Sequence, residues 1–259
     1  MKNKKCSFTL IILSLVLSLN VYSGTLVSLK TRGNVEQPFW LLENENAVAS
    51  VILFAGGDGK ISVNKDGIHS LKGNFVVRNR NNFSKLGFNV AVVDVPSDRS
   101  ELNFARTTKE HATDIKQVIK FLRDKYKKPV WLIGTSRGTT SVANIAARLN
   151  ANDGPDGVVF TASISEGGSQ GESMTDVSLE DIKQPVLFVH HEDDECWVCP
   201  SNSVSYLAEE MEGAKLKEIK MFSGGHTVGR ECGAQSYHGF LGIEDKVVPY
   251  ISDWVKAHL

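Results

Sequence analysis

The chain has 259 residues, of which 41% are hydrophobic and 23% are charged, a composition typical of a folded protein and not of a disordered one. Its 29 basic and 30 acidic side chains leave a formal net charge of −1, so the charge balance gives no reason to expect a nucleic acid or an anionic membrane as a partner. The length suits one large α/β domain.

The first 23 residues are expected to be a secretory signal peptide. Three lysines lie within the first five residues, and residues 8–19 form an apolar run. That run is shorter than the ~20 residues that a membrane-spanning helix needs. Compact residues up to Ser23 suit cleavage before Gly24, with an uncleaved N-terminal anchor as the alternative. We therefore expect a secreted or periplasmic protein, with residues 24–259 forming a single domain that has no membrane association after cleavage.

The rest of the chain alternates short apolar runs with helical patterns. Five runs are predicted as buried strands, at residues 48–54, 88–95, 130–134, 157–161 and 185–190. Apolar residues recur at helical spacing within residues 112–122, 142–149, 204–211 and 244–257. This alternation predicts an α/β fold whose mostly parallel, twisted sheet has helices on both faces, with an antiparallel N-terminal edge from residues 25–29 and 39–42. Residues 56–82 and 163–178 are expected to be long loops that border a site.

The segment Gly134-Thr135-Ser136-Arg137-Gly138 lies between a predicted strand and a predicted helix. In a G-x-S-x-G bend at this place, the glycines leave room for a tight turn that exposes the serine hydroxyl. The backbone N–H of Arg137 would then face the oxyanion that forms when Ser136 attacks a carbonyl group. We therefore predict that Ser136 is a catalytic nucleophile, with a structural turn serine as the alternative.

A second glycine-rich turn, Ala55-Gly56-Gly57-Asp58-Gly59, follows the first predicted central strand. Its backbone is bare enough to approach a substrate, so the N–H groups of Gly57 and Asp58 are predicted to complete an oxyanion hole. A phosphate-binding loop is the alternative, but the turn lacks both the GxGxxG spacing and a following Lys-Ser/Thr pair. We expect no cofactor and no metal.

A serine nucleophile needs a base, and the base needs an acid that orients it. The predicted strand 185–190 runs into an acidic cluster, in which Asp194 is the preferred acid and Asp193 is the alternative. Two histidines compete for the base. His226 directly follows a predicted strand at residues 216–222, whereas His238 precedes the last predicted helix.

Three cysteines follow the signal segment: Cys196, Cys199 and Cys232. In an oxidising compartment we expect a disulfide, and the odd number leaves one thiol over. A bridge from Cys196 to Cys232 would join the acid loop to the histidine loop, which would favour His238 over His226. The C-x-x-C pair of Cys196 and Cys199 leaves open a redox or metal site, although a second paired ligand unit is missing.

The order of glycine turn, serine bend, late acid and late histidine resembles the α/β-hydrolase family over residues 48–258. The segments LFAGGDG, VVDVPSD, GTSRGT, HHEDD-x-C and HGFLGIE are similar to a subgroup of small exported bacterial α/β-hydrolases. The resemblance implies a carboxylesterase-like serine hydrolase without a large cap, which cleaves a small acyl substrate through an acyl-enzyme. It also implies His238 as the base and a Cys196–Cys232 disulfide, while Cys199 departs from the subgroup pattern. The alternative is an inactive hydrolase fold that only binds a ligand.

Overall fold

The centre of the computed structural model is a sheet whose inner strands are apolar along their whole length. The structure describes residues 24–150, 153–169 and 171–259. Apart from the half-buried Ser136, every residue of the five inner strands is buried: β3 (Ala49–Phe54), β6 (Phe88–Val93), β7 (Val130–Ser136), β8 (Gly157–Ser163) and β9 (Val186–His191). Continuous burial is what a sheet covered on both faces requires. The five predicted strands are confirmed.

The main sheet has three further strands, β1 (Thr25–Arg32), β2 (Val35–Leu42) and β10 (Lys217–Phe222). Its strand order is β1-β2-β6-β3-β7-β8-β9-β10. The first two pair antiparallel with each other, β2 pairs antiparallel with β6, and every other neighbouring pair is parallel. The predicted parallel sheet with an antiparallel N-terminal edge is therefore confirmed.

Helices cover both faces of this sheet and bury a separate apolar cluster on each. One cluster lies beneath α3 (Lys109–Tyr126), α4 (Gly138–Arg148) and α5 (Ser203–Glu210). The other lies beneath α1 (Phe75–Arg78), α2 (Arg80–Lys85) and α6 (Glu244–Ala257). The carboxyl ends of the parallel strands lie between the two helix layers and are not covered by them, and this is the edge at which open α/β sheets bind ligands.

The predicted loop at residues 56–82 is wrong in part. It contains helices α1 and α2 and a small hairpin of β4 (Val63–Asn64) and β5 (Gly67–Ile68). These elements have two to six residues, too few for a hydrophobic period to register. The predicted loop at residues 163–178 is mostly irregular, with a short 3-10 helix at Met174–Asp176.

The expected signal peptide falls on residues 1–23, which lie outside the described residues. Within the described part of the chain, no helix combines the length and the apolar character that a membrane crossing needs.

Candidate active site

Ser136 lies at the last position of β7, on a sharp bend that leads into α4. Its φ of 53° is in the left-handed region, which costs a residue other than glycine about 1–3 kcal/mol. The flanking glycines allow the bend. A Cβ on Gly134 would lie 2.6 Å from the carbonyl oxygen of Gly138, and a Cβ on Gly138 would lie 2.2 Å from that of Phe54. The GTSRG segment thus forms a strand–turn–helix that presents the serine at the sheet edge.

His238 and Asp194 are in direct contact. Nδ1 of His238 lies 2.9 Å from Oδ2 of Asp194. An ionised carboxylate only accepts hydrogen bonds, so Nδ1 carries the proton and Nε2 keeps its lone pair. His238 is 4% exposed, and its Nε2 has no hydrogen-bond partner among the described residues. The imidazole is therefore in the tautomer that accepts a proton at Nε2.

Three donors hold the Asp194 carboxylate. Besides His238, the ring Nε2 of His190 lies 3.1 Å from Oδ2, and the N–H of Cys196 donates to Oδ1 at 3.0 Å. Burial by itself would raise the pKa of Asp194, but the hydrogen bonds from His190 and His238 outweigh it and lower that pKa to about 2. The acid is therefore a carboxylate at neutral pH.

His190 is a site residue that the sequence did not single out. It is fully buried, and its Nε2 faces both the Asp194 carboxylate and the carbonyl oxygen of Cys199, at 3.1 and 3.0 Å. Both neighbours are acceptors, so Nε2 carries a proton that is shared between them. The signal for this role is its position, since His190 and Asp194 both lie where β9 ends.

The alternative acid and base lie elsewhere. Asp193 is exposed, and its N–H donates to Nδ1 of His191 at 3.0 Å. His226 is also exposed; its N–H donates to the carbonyl oxygen of Leu241, and its ring lies beside Gly242. Of the two candidate histidines, His238 is the one in contact with an acid.

Cys196 and Cys232 form a disulfide, the pairing that the resemblance implies. It ties the loop that carries Asp194 to the segment that carries His238. Cys199 is a free and buried thiol, and its Sγ lies 4.0 Å from Oγ of Ser136. Burial raises the pKa of the Cys199 thiol, so it stays protonated and unreactive. The alternative in which Cys196 and Cys199 form a redox pair is not the pairing observed.

A sulfur from each of Cys196 and Cys199 and a ring nitrogen of His238 all lie within 4.8 Å of one another. Zinc is held by thiolates and imidazoles, usually four ligands in a structural site and three in a catalytic one. The sulfur of Cys196 is already bonded to Cys232, which leaves two available donors. In its oxidised form the donor set therefore does not fit a metal.

Ser136 and His238 line the same cavity, of about 290 Å³. Gly56 and Gly57 also line it, as does Asn74, whose Oδ1 is buried without a hydrogen-bond partner among the described residues. No hydrogen bond joins Oγ of Ser136 to His238 within the described part of the chain, and Oγ lies 4.0 Å from the Cys199 sulfur. Catalytic hydrogen bonds are often long before substrate binds.

The predicted oxyanion donors, the N–H groups of Gly57, Asp58 and Arg137, belong to three peptide groups, and the carbonyl oxygen of each group accepts a hydrogen bond. The carbonyl oxygen of Gly56, in the peptide group of the Gly57 N–H, accepts from the N–H of Gly59 at 3.2 Å. The carbonyl oxygen of Ser136 accepts the Thr139 hydroxyl at 2.6 Å, so the N–H of Arg137 points the opposite way. Arg137 is the N-cap of α4, where an N–H has no intrahelical partner. In the glycine turn, the carbonyl oxygen of Gly57 accepts from Arg106 at 3.1 Å, which directs the N–H of Asp58 away from Arg106.

No family model and no curated protein matches the sequence. Solved structures do match it. An esterase from Pyrococcus furiosus has a TM-score of 0.65 at 15% identity, over 91% of this chain and 93% of that chain. A sugar hydrolase from Lactococcus lactis has a TM-score of 0.62 at 16% identity, over 90% and 98%. A cold-adapted esterase from an Arctic intertidal metagenomic library has a TM-score of 0.57 at 16% identity, over 88% and 92%.

At these identities the likeness establishes the fold alone. The sheet order, the parallel core and the antiparallel N-terminal edge agree with it. This chain has the α/β-hydrolase fold.

Proposed function

We propose that the chain is an exported serine hydrolase that cleaves a small ester through an acyl-enzyme. One observation carries the proposal. His238 lines the same cavity as Ser136, its Nδ1 is bound to Asp194, and its Nε2 has no hydrogen-bond partner among the described residues. The names of the similar structures, among them esterases and a sugar hydrolase, support hydrolysis.

In the proposed reaction, Oγ of Ser136 attacks the ester carbonyl while His238 takes its proton at Nε2. Asp194 stabilises the imidazolium that forms, and it stays ionised because its pKa is low. His238 then returns the proton to the leaving alcohol, and the acyl group remains on Ser136. Water, activated by the same histidine, releases the acid in the second half of the cycle.

The oxyanion would be held by the N–H of Arg137 and by the N–H groups of Gly57 and Asp58. The dipole of α4, whose N-terminus lies at Arg137, favours negative charge at the same point. Loss of one such donor typically costs about 100- to 1000-fold in rate.

The cavity supports a short acyl group. Its volume of about 290 Å³ is at the lower end for small-molecule sites, and the small residues Gly56, Gly73 and Ala234 line it beside the apolar Leu71 and Phe75. We expect turnover of p-nitrophenyl esters to peak at acetate to butyrate and to fall for octanoate and longer chains.

The test is labelling and turnover in matched variants. Fluorophosphonate should label the folded protein at Ser136, and S136A should lose both label and turnover. H238A should lose turnover, whereas H226A should keep it. A folded wild-type protein without a Ser136 adduct would refute the proposal, and loss of turnover in H226A with retention in H238A would reverse the choice of base.

The second candidate is a ligand-binding protein without turnover. The observation in its favour is that Oγ of Ser136 contacts Cys199 instead of His238. The same labelling experiment separates the two candidates.

Export is proposed from the pattern of residues 1–23, and the Cys196–Cys232 disulfide supports it because such bonds persist in oxidising compartments. Mass spectrometry of protein from the extracellular and periplasmic fractions tests it, since the proposal requires a chain that begins at or near Gly24.

A further inference from the structure

Arg106 is a buried guanidinium that faces neutral oxygens. It is 1% exposed, and no carboxylate of the described residues lies within ion-pair distance of it. One terminal nitrogen donates to the Ser141 hydroxyl at 2.9 Å, and the other donates to the carbonyl oxygens of Ala55 and Gly57 at 3.2 and 3.1 Å. Burying a charge without a counter-charge is costly, so this placement calls for a reason beyond packing.

The two carbonyls belong to the glycine turn beside Ser136. Gly57 has a φ of 59°, and with glycines at positions 56, 57 and 59 the turn lacks the side chains that would keep its peptide groups from rotating. If the peptide group between Gly57 and Asp58 flipped, the carbonyl oxygen of Gly57 would take the direction in which the N–H of Asp58 now points. That oxygen would repel an oxyanion. The hydrogen bond from Arg106 opposes this flip.

Hydrogen bonds to the neighbouring carbonyl oxygens also oppose rotation of the peptide groups in this turn. The carbonyl oxygen of Gly56 accepts from the N–H of Gly59 at 3.2 Å, and that of Asp58 accepts from the N–H of Leu102 at 2.8 Å. Every carbonyl from Ala55 to Asp58 is thus engaged, two of them by Arg106. On the other side of the site, the Thr139 hydroxyl holds the carbonyl of Ser136 in the same manner.

We propose that Arg106 is a positioning residue of the oxyanion hole: it fixes the peptide groups of the turn at residues 55–58 so that their N–H groups stay available to the reacting oxygen. The inference rests on the proposed serine hydrolase function. Burial lowers the pKa of Arg106 to about 10, with the Glu172 and Asp58 carboxylates opposing the shift, so the group remains charged at neutral pH. Its positive charge, one peptide group behind the donors, adds to the stabilisation of an anion.

The experiment compares R106Q and R106K with wild type, using kcat and KM for p-nitrophenyl acetate and the Ki of a boronic acid, which forms a tetrahedral anion on the serine. R106Q should lower kcat about 100-fold, as for loss of an oxyanion donor, with KM changed less than threefold. The boronate Ki should rise by about the same factor as kcat/KM falls. R106K keeps the charge but places its N–H donors on a single nitrogen, which cannot reproduce the two-nitrogen contact with Ser141 and the two carbonyls, so its kcat should fall about 10-fold. T139V should behave like R106Q.

A merely structural role predicts something else. Misfolded R106Q would contain less active enzyme, and the boronate Ki of the remaining fraction would be that of wild type. The matched control is R148Q, an arginine on α4 that bonds Asn144 and the Thr107 carbonyl, and its kcat and Ki should stay within threefold of wild type.

The inference is overturned if folded R106Q and R106K keep kcat and boronate Ki within threefold of wild type, or if kcat falls while Ki does not move. If R106Q does not fold, R106K decides by the same two quantities. Wild-type protein that neither turns over ester nor forms a Ser136 adduct would refute the proposed function, and this inference with it. Active wild type with unaffected Arg106 variants would refute this inference alone.

Discussion

Breaking the Cys196–Cys232 bond should lower both stability and activity, for separate reasons. The bond closes a loop with a sequence separation of 36 residues. The chain-entropy relation gives about 4 kcal/mol of stabilisation for a loop of that length, by restricting the unfolded chain. For a domain of this size we expect the melting temperature to fall by roughly 8–15 °C.

The effect on activity arises in the folded state. The bond holds one end of the segment that delivers His238, and Arg78 holds the other through the carbonyl oxygens of Ala234 and Gly239. Because this second attachment remains, we expect kcat to fall about 10-fold and not to vanish.

The assay compares wild type with the C196A/C232A double variant, by thermal unfolding and by ester turnover, each with and without a reductant. C199A is the control, because it removes the free thiol and leaves the disulfide in place. Reductant should affect wild type and C199A alike and should not affect the double variant. A double variant that melts within 2 °C of wild type and keeps its kcat would refute the reasoning on both counts.

Three further predictions concern single side chains. The pKa of Asp194 is about 2 in the fold against an ordinary 3.8, so its carboxylate contributes roughly 2–3 kcal/mol to the free energy of unfolding. This contribution is present above about pH 4 and is lost as the pH falls through 2. D194N should therefore flatten the pH dependence of the unfolding free energy in that range, and should lower kcat by several orders of magnitude; an unchanged acid-unfolding curve would contradict this. R78A should lower the free energy of unfolding, measured in urea, by about 2–3 kcal/mol, because Arg78 bonds the carbonyl oxygens of Gly73 and Ala234 and the carboxylate of Glu244. E244Q should lower it less, because this variant keeps the contacts of Arg78 with the carbonyl oxygens. G138A should lower the free energy of unfolding by about 3 kcal/mol or more, since its Cβ would meet a backbone carbonyl oxygen at 2.2 Å, and thermal unfolding followed by circular dichroism should show the loss. G73A, whose Cβ would make an ordinary van der Waals contact with the Cβ of Ala234 at 3.8 Å, should keep its melting temperature within a few degrees.

The fold was largely predictable because each central strand carries its own signal. Residues 48–54 and 185–190 are apolar at nearly every position, which a strand covered on both faces requires. The G-x-S-x-G motif was likewise a reliable signal because it follows from local sterics: the bend at Ser136 leaves no room for a Cβ on Gly134 or Gly138. The short helices at residues 75–85 gave no such signal, because they are stabilised by packing against the sheet and not by their own periodicity.

What the sequence by itself determined is the order of the central strands and the longer helices along the chain, the tight serine bend and the residue types available for catalysis. Which of them meet was decided by the tertiary structure. Asp194 and His238 are separated by 44 positions along the chain, and spacing alone left Asp193 and His226 open. The role of Arg106 was even harder to predict from the sequence, because the segment that carries it reaches the glycine turn only when β3 and β6 lie side by side in the sheet. Hydrophobic periodicity is a property of neighbours along the chain, whereas a hydrogen bond between distant loops depends on how the whole sheet is assembled.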